Sequence, residues 1–106
     1  MSIQATYRGT EFVTLTNTSS APLDLSYYEV ESVPWFYEFE PFTVLQPGQQ
    51  LVLYIQNGGP QGRAIVKNWG FNTGLLADKK DVVTLRNVLG APVACHAWGS
   101  KKCPKV

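Results

Sequence analysis

Residues 11–30 read EFVTLTNTSSAPLDLSYYEV, and apolar and polar side chains alternate through Phe12-Val13-Thr14-Leu15-Thr16 before the pattern breaks. The break, Asn17-Thr18-Ser19-Ser20-Ala21-Pro22, consists of residues that bond their own backbone or cannot continue a ladder, and alternation resumes at Leu23-Asp24-Leu25. A period of two on both sides of a polar turn predicts two half-buried strands, with Val13 and Leu15 on the core side. Asn17-Thr18-Ser19 also fits the acceptor pattern for N-glycosylation. Turn chemistry is the plainer reading of the same three residues.

The same punctuation continues outward from this stretch. Ile3 to Arg8 alternates and leads to Gly9-Thr10, a first strand and a turn. Leu23 to Val33 gives a third strand, which Pro34 interrupts. Phe42-Thr43-Val44-Leu45 and Leu51-Val52-Leu53-Tyr54-Ile55 flank a Pro47-Gly48 turn, and the second of these runs is apolar throughout, so it belongs at the centre of a sheet. Beyond the loop Asn57-Gly58-Gly59-Pro60-Gln61-Gly62 come a short strand from Ala64 to Trp69, a turn at Asn72-Thr73-Gly74, and a strand over Val82 to Arg86. After a turn from Asn87 to Gly90, the last strand, Val93 to Trp98, sets Val93, Cys95 and Ala97 on one face and Ala94, His96 and Trp98 on the other. No helix-period segment with caps appears. Short strands at this spacing predict an all-β antiparallel sandwich whose inward positions include Val13, Leu15, Leu25, Leu53, Val83 and Leu85.

Length and charge narrow the function classes. A chain of 106 residues fits one domain, residues 1–106, and buries about two-thirds of the surface its unfolded form exposes. With 44% hydrophobic and 16% charged residues the composition is that of a folded globular domain. The formal net charge of +1 supplies no basic field for nucleic acid, and the local excess at Lys101, Lys102 and Lys105 reads as a solvated tail. No apolar run approaches the ~20 residues of a membrane span, and Met1-Ser2-Ile3-Gln4 lacks the features of a signal peptide. A chain that opens at once on strand-like sequence is also what a domain excised from a larger protein looks like.

Four segments together resemble the lamin tail domain family: EFVTLTN with SSAPLDLS (residues 11–26), FTVLQPGQQLVLY (42–54), NWGFNTGLL (68–76) and DVVTLRNVLGAPVACHAWG (81–99). Where family members carry Gly-Trp and Gly-Asp pairs this chain has Tyr27-Tyr28 and Lys80-Asp81, and the stretch from Val33 to Pro41 is atypical. The resemblance implies an immunoglobulin-like, non-catalytic unit, here a bacterial member. Such units serve as structural or protein-interaction modules, at the nuclear envelope in lamins and attached to exported or surface proteins in bacteria.

Residues able to carry chemistry are few. His96 is the single histidine, no Gly-x-Ser-x-Gly elbow accompanies it, and the chain reads as no enzyme. The spaced acids Glu29 with Glu31 and Glu38 with Glu40 have the separation of paired carboxylates on a strand, for which a solvated face is the ordinary reading. Cys95, His96 and Cys103 are three zinc-type ligands where a structural site needs four, Asp78 and Asp81 lack a calcium-loop pattern, and no metal or cofactor is expected. Reversal of the chain over Trp98-Gly99-Ser100 would set Cys95 opposite Cys103 at disulfide range. A disulfide would place the domain outside the cell or in its envelope, whereas two free thiols are equally compatible with a reducing, cytoplasmic setting.

The remaining feature is aromatic density. Seven of the thirteen aromatic residues lie between Tyr27 and Phe42, more than one strand face buries. Trp35, Phe36, Tyr37 and Phe39 are therefore the interaction candidates, as an exposed rim that anchors a protein partner or a neighbouring domain of the same polypeptide. The alternative is a carbohydrate-binding module stacking sugar rings on the same rim. Partial burial under a long loop is the bland reading.

Overall fold

A computed structural model describes residues 1–7, 10–56, 65–71, 76 and 79–104 of the chain. Its strands are β1 (Ser2–Thr6), β2 (Phe12–Thr16), β3 (Leu23–Asp24), β4 (Glu29–Ser32), β5 (Trp35–Glu38), β6 (Val44–Leu45), β7 (Gln50–Gln56), β8 (Ile65–Phe71), β9 (Asp81–Arg86) and β10 (Pro92–Trp98). Two four-stranded sheets, ordered β1-β2-β7-β8 and β10-β9-β4-β5, enclose the core, and a small β3-β6 pair accompanies them. Val13, Leu15, Leu25, Leu53, Val83 and Leu85 are all fully buried, as alternation in separate strands required. The fold is an all-β immunoglobulin-like sandwich.

The pairing departs from the sequence reading in three places, each for a local reason. The strand expected from Leu23 to Val33 is broken into β3 and β4, because the Asp24 carboxylate accepts from both the backbone N–H and the hydroxyl of Ser26, turning the chain out of the ladder. The aromatic stretch after Pro34 is a strand, β5, which pairs antiparallel with β4 through Val30↔Tyr37 and Ser32↔Trp35 across a cis Val33-Pro34 bond. The strand expected over Ala64–Trp69 runs to Phe71 and lies parallel to β7, the one parallel pair among the described residues. The expected loop at 57–62 and turn at 72–74, together with Arg8, Gly9, Ala64, Asp78 and Lys105, lie outside the described residues.

Asn17 organises one end of the sandwich. It is fully buried, so the glycosylation reading gives way to turn chemistry. Its Nδ2 donates to the carbonyls of Ala21 (2.8 Å) and Leu45 (2.9 Å), and its Oδ1 accepts from the Ser19 N–H (3.0 Å) and hydroxyl (2.7 Å). Its backbone is tied to the Gln46–Gln49 turn, by its N–H to Gln49 O and by its carbonyl to Gly48 N. One side chain thus joins the loop after β2 to β6.

The sandwich closes along its two seams by different means. On one side the edge strands β1 and β10 meet: the Ala5 N–H donates to His96 Nδ1 at 2.8 Å, and Tyr7 stacks on Trp98 with ring centres 4.2 Å apart. His96 caps a strand-edge donor that a sheet edge would otherwise leave open. Behind it, Cys95 on the opposite face is joined to Cys103, with Cα atoms 5.8 Å apart. Closing a loop of sequence separation 8 stabilises by about 2.5 kcal/mol on the chain-entropy model and holds the terminal segment on the domain.

Candidate interaction site

The second seam, between the sheet edges β5 and β8, is where the aromatic stretch goes. Along β5 the side chains alternate, so Trp35 and Tyr37 share the inward face with Val30 and Ser32 of β4 while Phe36 and Glu38 point out. Trp35 meets Phe71 edge-on at 5.4 Å, Phe71 leans on Trp69 at 5.7 Å, and Tyr37 sets its edge against Trp69 at 6.1 Å and Phe39 at 5.4 Å. These are the tilted and edge-to-face arrangements that ring quadrupoles favour. A Lys67–Glu40 ion pair lies across the same gap. Burial pushes the Tyr37 hydroxyl above its ordinary range; the nearby Lys67 charge opposes that rise and Glu40 adds to it.

The four candidates therefore separate. Phe39 is fully buried and is the largest wholly enclosed side chain among the described residues, so it belongs to the core and not to a rim. Tyr37 is half-buried in the ring ladder. Trp35 and Phe36 keep 48% and 60% of their surface exposed. Two ladder members, Trp69 and Phe71, come from a strand some thirty residues downstream, and no local pattern announces that they complete a cluster begun at Trp35.

At the far end of β4 and β5 the loops before β4 and after β5 lock together. Leu25 N donates to Thr43 O, Tyr27 N to Phe39 O, Phe39 N to Tyr28 O, and Phe42 N to the Ser26 hydroxyl. Within this frame Tyr27 and Phe42 hold left-handed backbones, φ 64 and φ 66, with 53% and 93% of their surfaces exposed. For a bulky L-residue that conformation costs about 1–2 kcal/mol. The sequence signal is faint but real for one of them. Pro41-Phe42 occupies the places that Pro47-Gly48 takes in the next turn, where Gly48 has φ 78, so a phenylalanine stands in the left-handed position that glycine usually takes after such a proline.

Asp24 supports this double loop. The Ser26 hydroxyl and then the Ser26 N–H hold its carboxylate below the usual range. A depressed carboxylate contributes stability that is present above the unfolded value and lost as pH falls through the folded one. The Ser26 amide resonance should therefore hold steady through the ordinary carboxylate range and move only at more acid pH than a free aspartate would require. The same acid step surviving in Asp24→Ala would disprove the assignment.

The other chemical candidates are occupied by structure. His96 accepts from Ala5, Glu31 pairs with Arg86 at 3.0 Å, and Asp81 receives the Ser32 hydroxyl and the Val82 N–H. Among the described residues no group of three or more His, Cys, Asp or Glu side chains is placed to hold a metal ion. The family model described as Lamin Tail Domain matches residues 2–100. No curated protein matches the chain.

Proposed function

The chain belongs to the lamin tail domain family, and on that premise we propose that it is a non-catalytic structural or protein-interaction module of a larger exported polypeptide, as in bacterial members. The observation that carries this reading is the fate of His96. The only histidine of the chain faces inward, its Nδ1 filled by the Ala5 N–H, where it clamps two edge strands instead of addressing a substrate. The Cys95–Cys103 disulfide is compatible with an extracellular or cell-envelope setting, where such bonds persist. Among the described residues no helix is long and apolar enough to cross a membrane.

Two measurements test the proposal. The disulfide-intact domain should show no turnover above buffer with ester, phosphoester, peptide or glycoside substrates, and activity that disappears in His96→Ala would overturn it. The competing carbohydrate-binding reading meets rings set edge-on to one another, where sugar stacking calls for open flat faces. Saturable sugar binding on a glycan array, lost in Trp35→Ala, would decide in favour of that reading.

A further inference from the structure

One end of the sandwich gathers exposed apolar side chains. By register, Glu29, Glu38, Arg86 and Pro92 lie at this end, and Ser32, Trp35, Asp81 and Trp98 at the other. Tyr27 and Phe42 stand on the double loop here, and Val88 and Leu89, both exposed, stand on the neighbouring Asn87–Ala91 turn. A turn tip built for display alone would take glycine or a small polar residue, as the Gln46–Gln49 turn does. Phe42 instead holds a left-handed backbone while its ring is 93% exposed, so it adds nothing to the core. Clustered exposed apolar residues with a polar rim mark contact surfaces, and unfavourable backbone conformations concentrate at such places.

Charge identifies what this surface accepts. Five of the eight acidic residues fall between Asp24 and Glu40. Of these, Glu31 and Glu40 are paired with Arg86 and Lys67, and among the described residues Asp24, Glu29 and Glu38 have no cationic partner. Glu29 and Glu38 sit directly opposite each other across β4 and β5, a like-charge pairing that weakens a sheet, and Arg86, opposite Glu29 on β9, is bonded to Glu31 instead. Lys79 and Lys80, with the tail that leads to Lys101 and Lys102, lie at the far end beside Gly99. The apolar end thus keeps an excess of negative charge, since its two cations among the described residues, Lys67 and Arg86, are taken up by Glu40 and Glu31.

We propose that this end docks a short lysine- or arginine-bearing segment of a partner protein, which sets its cationic groups over the Tyr27 and Phe42 rings and against Glu29 and Glu38. Aromatic faces attract such cations, and adjacent carboxylates fix and strengthen the contact. The inference rests on the interaction-module reading and supplies that module's partner class.

The test is calorimetric titration of the disulfide-intact chain with a peptide of alternating arginine and serine, with the matching glutamate–serine peptide as control. Saturable binding of the arginine peptide is expected, weakened by added salt and about tenfold by Phe42→Ala or by Glu38→Gln. Phe42→Gly is the companion variant, because glycine takes the left-handed backbone freely; it should lose binding with Tm unchanged or raised. Undiminished binding in both Phe42 variants, equal binding of the glutamate peptide, or no binding of the arginine peptide would each overturn the proposal. So would self-association that Phe42→Ala abolishes in a chain that ignores the peptide, since the surface would then belong to a second copy. These outcomes leave the non-catalytic reading standing; only turnover in the substrate screen reaches that.

Discussion

Asn17→Ala should destabilise the domain by about 3 kcal/mol, a fall in Tm of roughly 15 °C for a chain of this size. The side chain makes four hydrogen bonds from a fully buried position, two as donor to the Ala21 and Leu45 carbonyls and two as acceptor from Ser19. Truncation to a methyl group leaves the Leu45 carbonyl, whose bond to Asn17 is itself buried, without that donor. An orphaned buried acceptor costs about 1–3 kcal/mol, which exceeds the net worth of any one bond in water. Asn17→Asp keeps the shape but replaces both donors by acceptors, setting a carboxylate oxygen against two carbonyls, and should be at least as damaging. Denaturant unfolding of both variants gives the measurement. A loss below about 1 kcal/mol would mean that the 17–21 loop and β6 hold together without this side chain.

The importance of Asn17 was legible only in part, and the reason is physical. A turn sequence such as Asn17-Thr18-Ser19-Ser20 shows that side chains will bond backbone nearby, and the Ser19 bonds are of that local kind. The bond to Leu45, across 28 residues, is tertiary and has no local signature. The core followed from the sequence more directly, because alternation in β2, β7 and β9 needs only one buried face to fix which residues point inward. Strand direction does not follow, since a period of two is the same in either sense; hence the parallel β7–β8 pair was not foreseen.

The candidate site divides along the same line. Aromatic density between Tyr27 and Phe42 was visible, but which rings are core and which are surface depends on partners elsewhere in the chain. Tyr37 is covered because Trp69 of β8 lies against it, and Phe36 is not because it faces away from that seam. The left-handed backbones at Tyr27 and Phe42 are harder still to read, because the usual markers of that conformation are glycine, asparagine and aspartate. Where a sequence breaks a local rule without a visible gain to folding, as Phe42 does beside the rule-abiding Gly48, a contact made outside the domain is the natural compensation.

Phe39→Ala should cost about 3–5 kcal/mol, a large share of the stability of a domain this size, while Phe36→Ala three residues earlier should change it by less than about 0.5 kcal/mol. Phe39 has no exposed surface and packs its ring against Tyr37 at 5.4 Å, whereas Phe36 is 60% exposed on the outward face of β5. The loss at position 39 joins a transfer term to a cavity, because the surrounding core is held by two sheets that cannot collapse freely onto the gap. It also loosens the frame that presents Tyr27 and Phe42, since the Phe39 backbone bonds both Tyr27 and Tyr28. Thermal unfolding of the two variants side by side separates core from surface within one aromatic stretch. Equal, small effects would return Phe39 to the exposed rim. A large effect at 39 alone means that any loss of partner binding in Phe39→Ala reports unfolding, and leaves Tyr27 and Phe42 as the side chains whose removal tests contact itself.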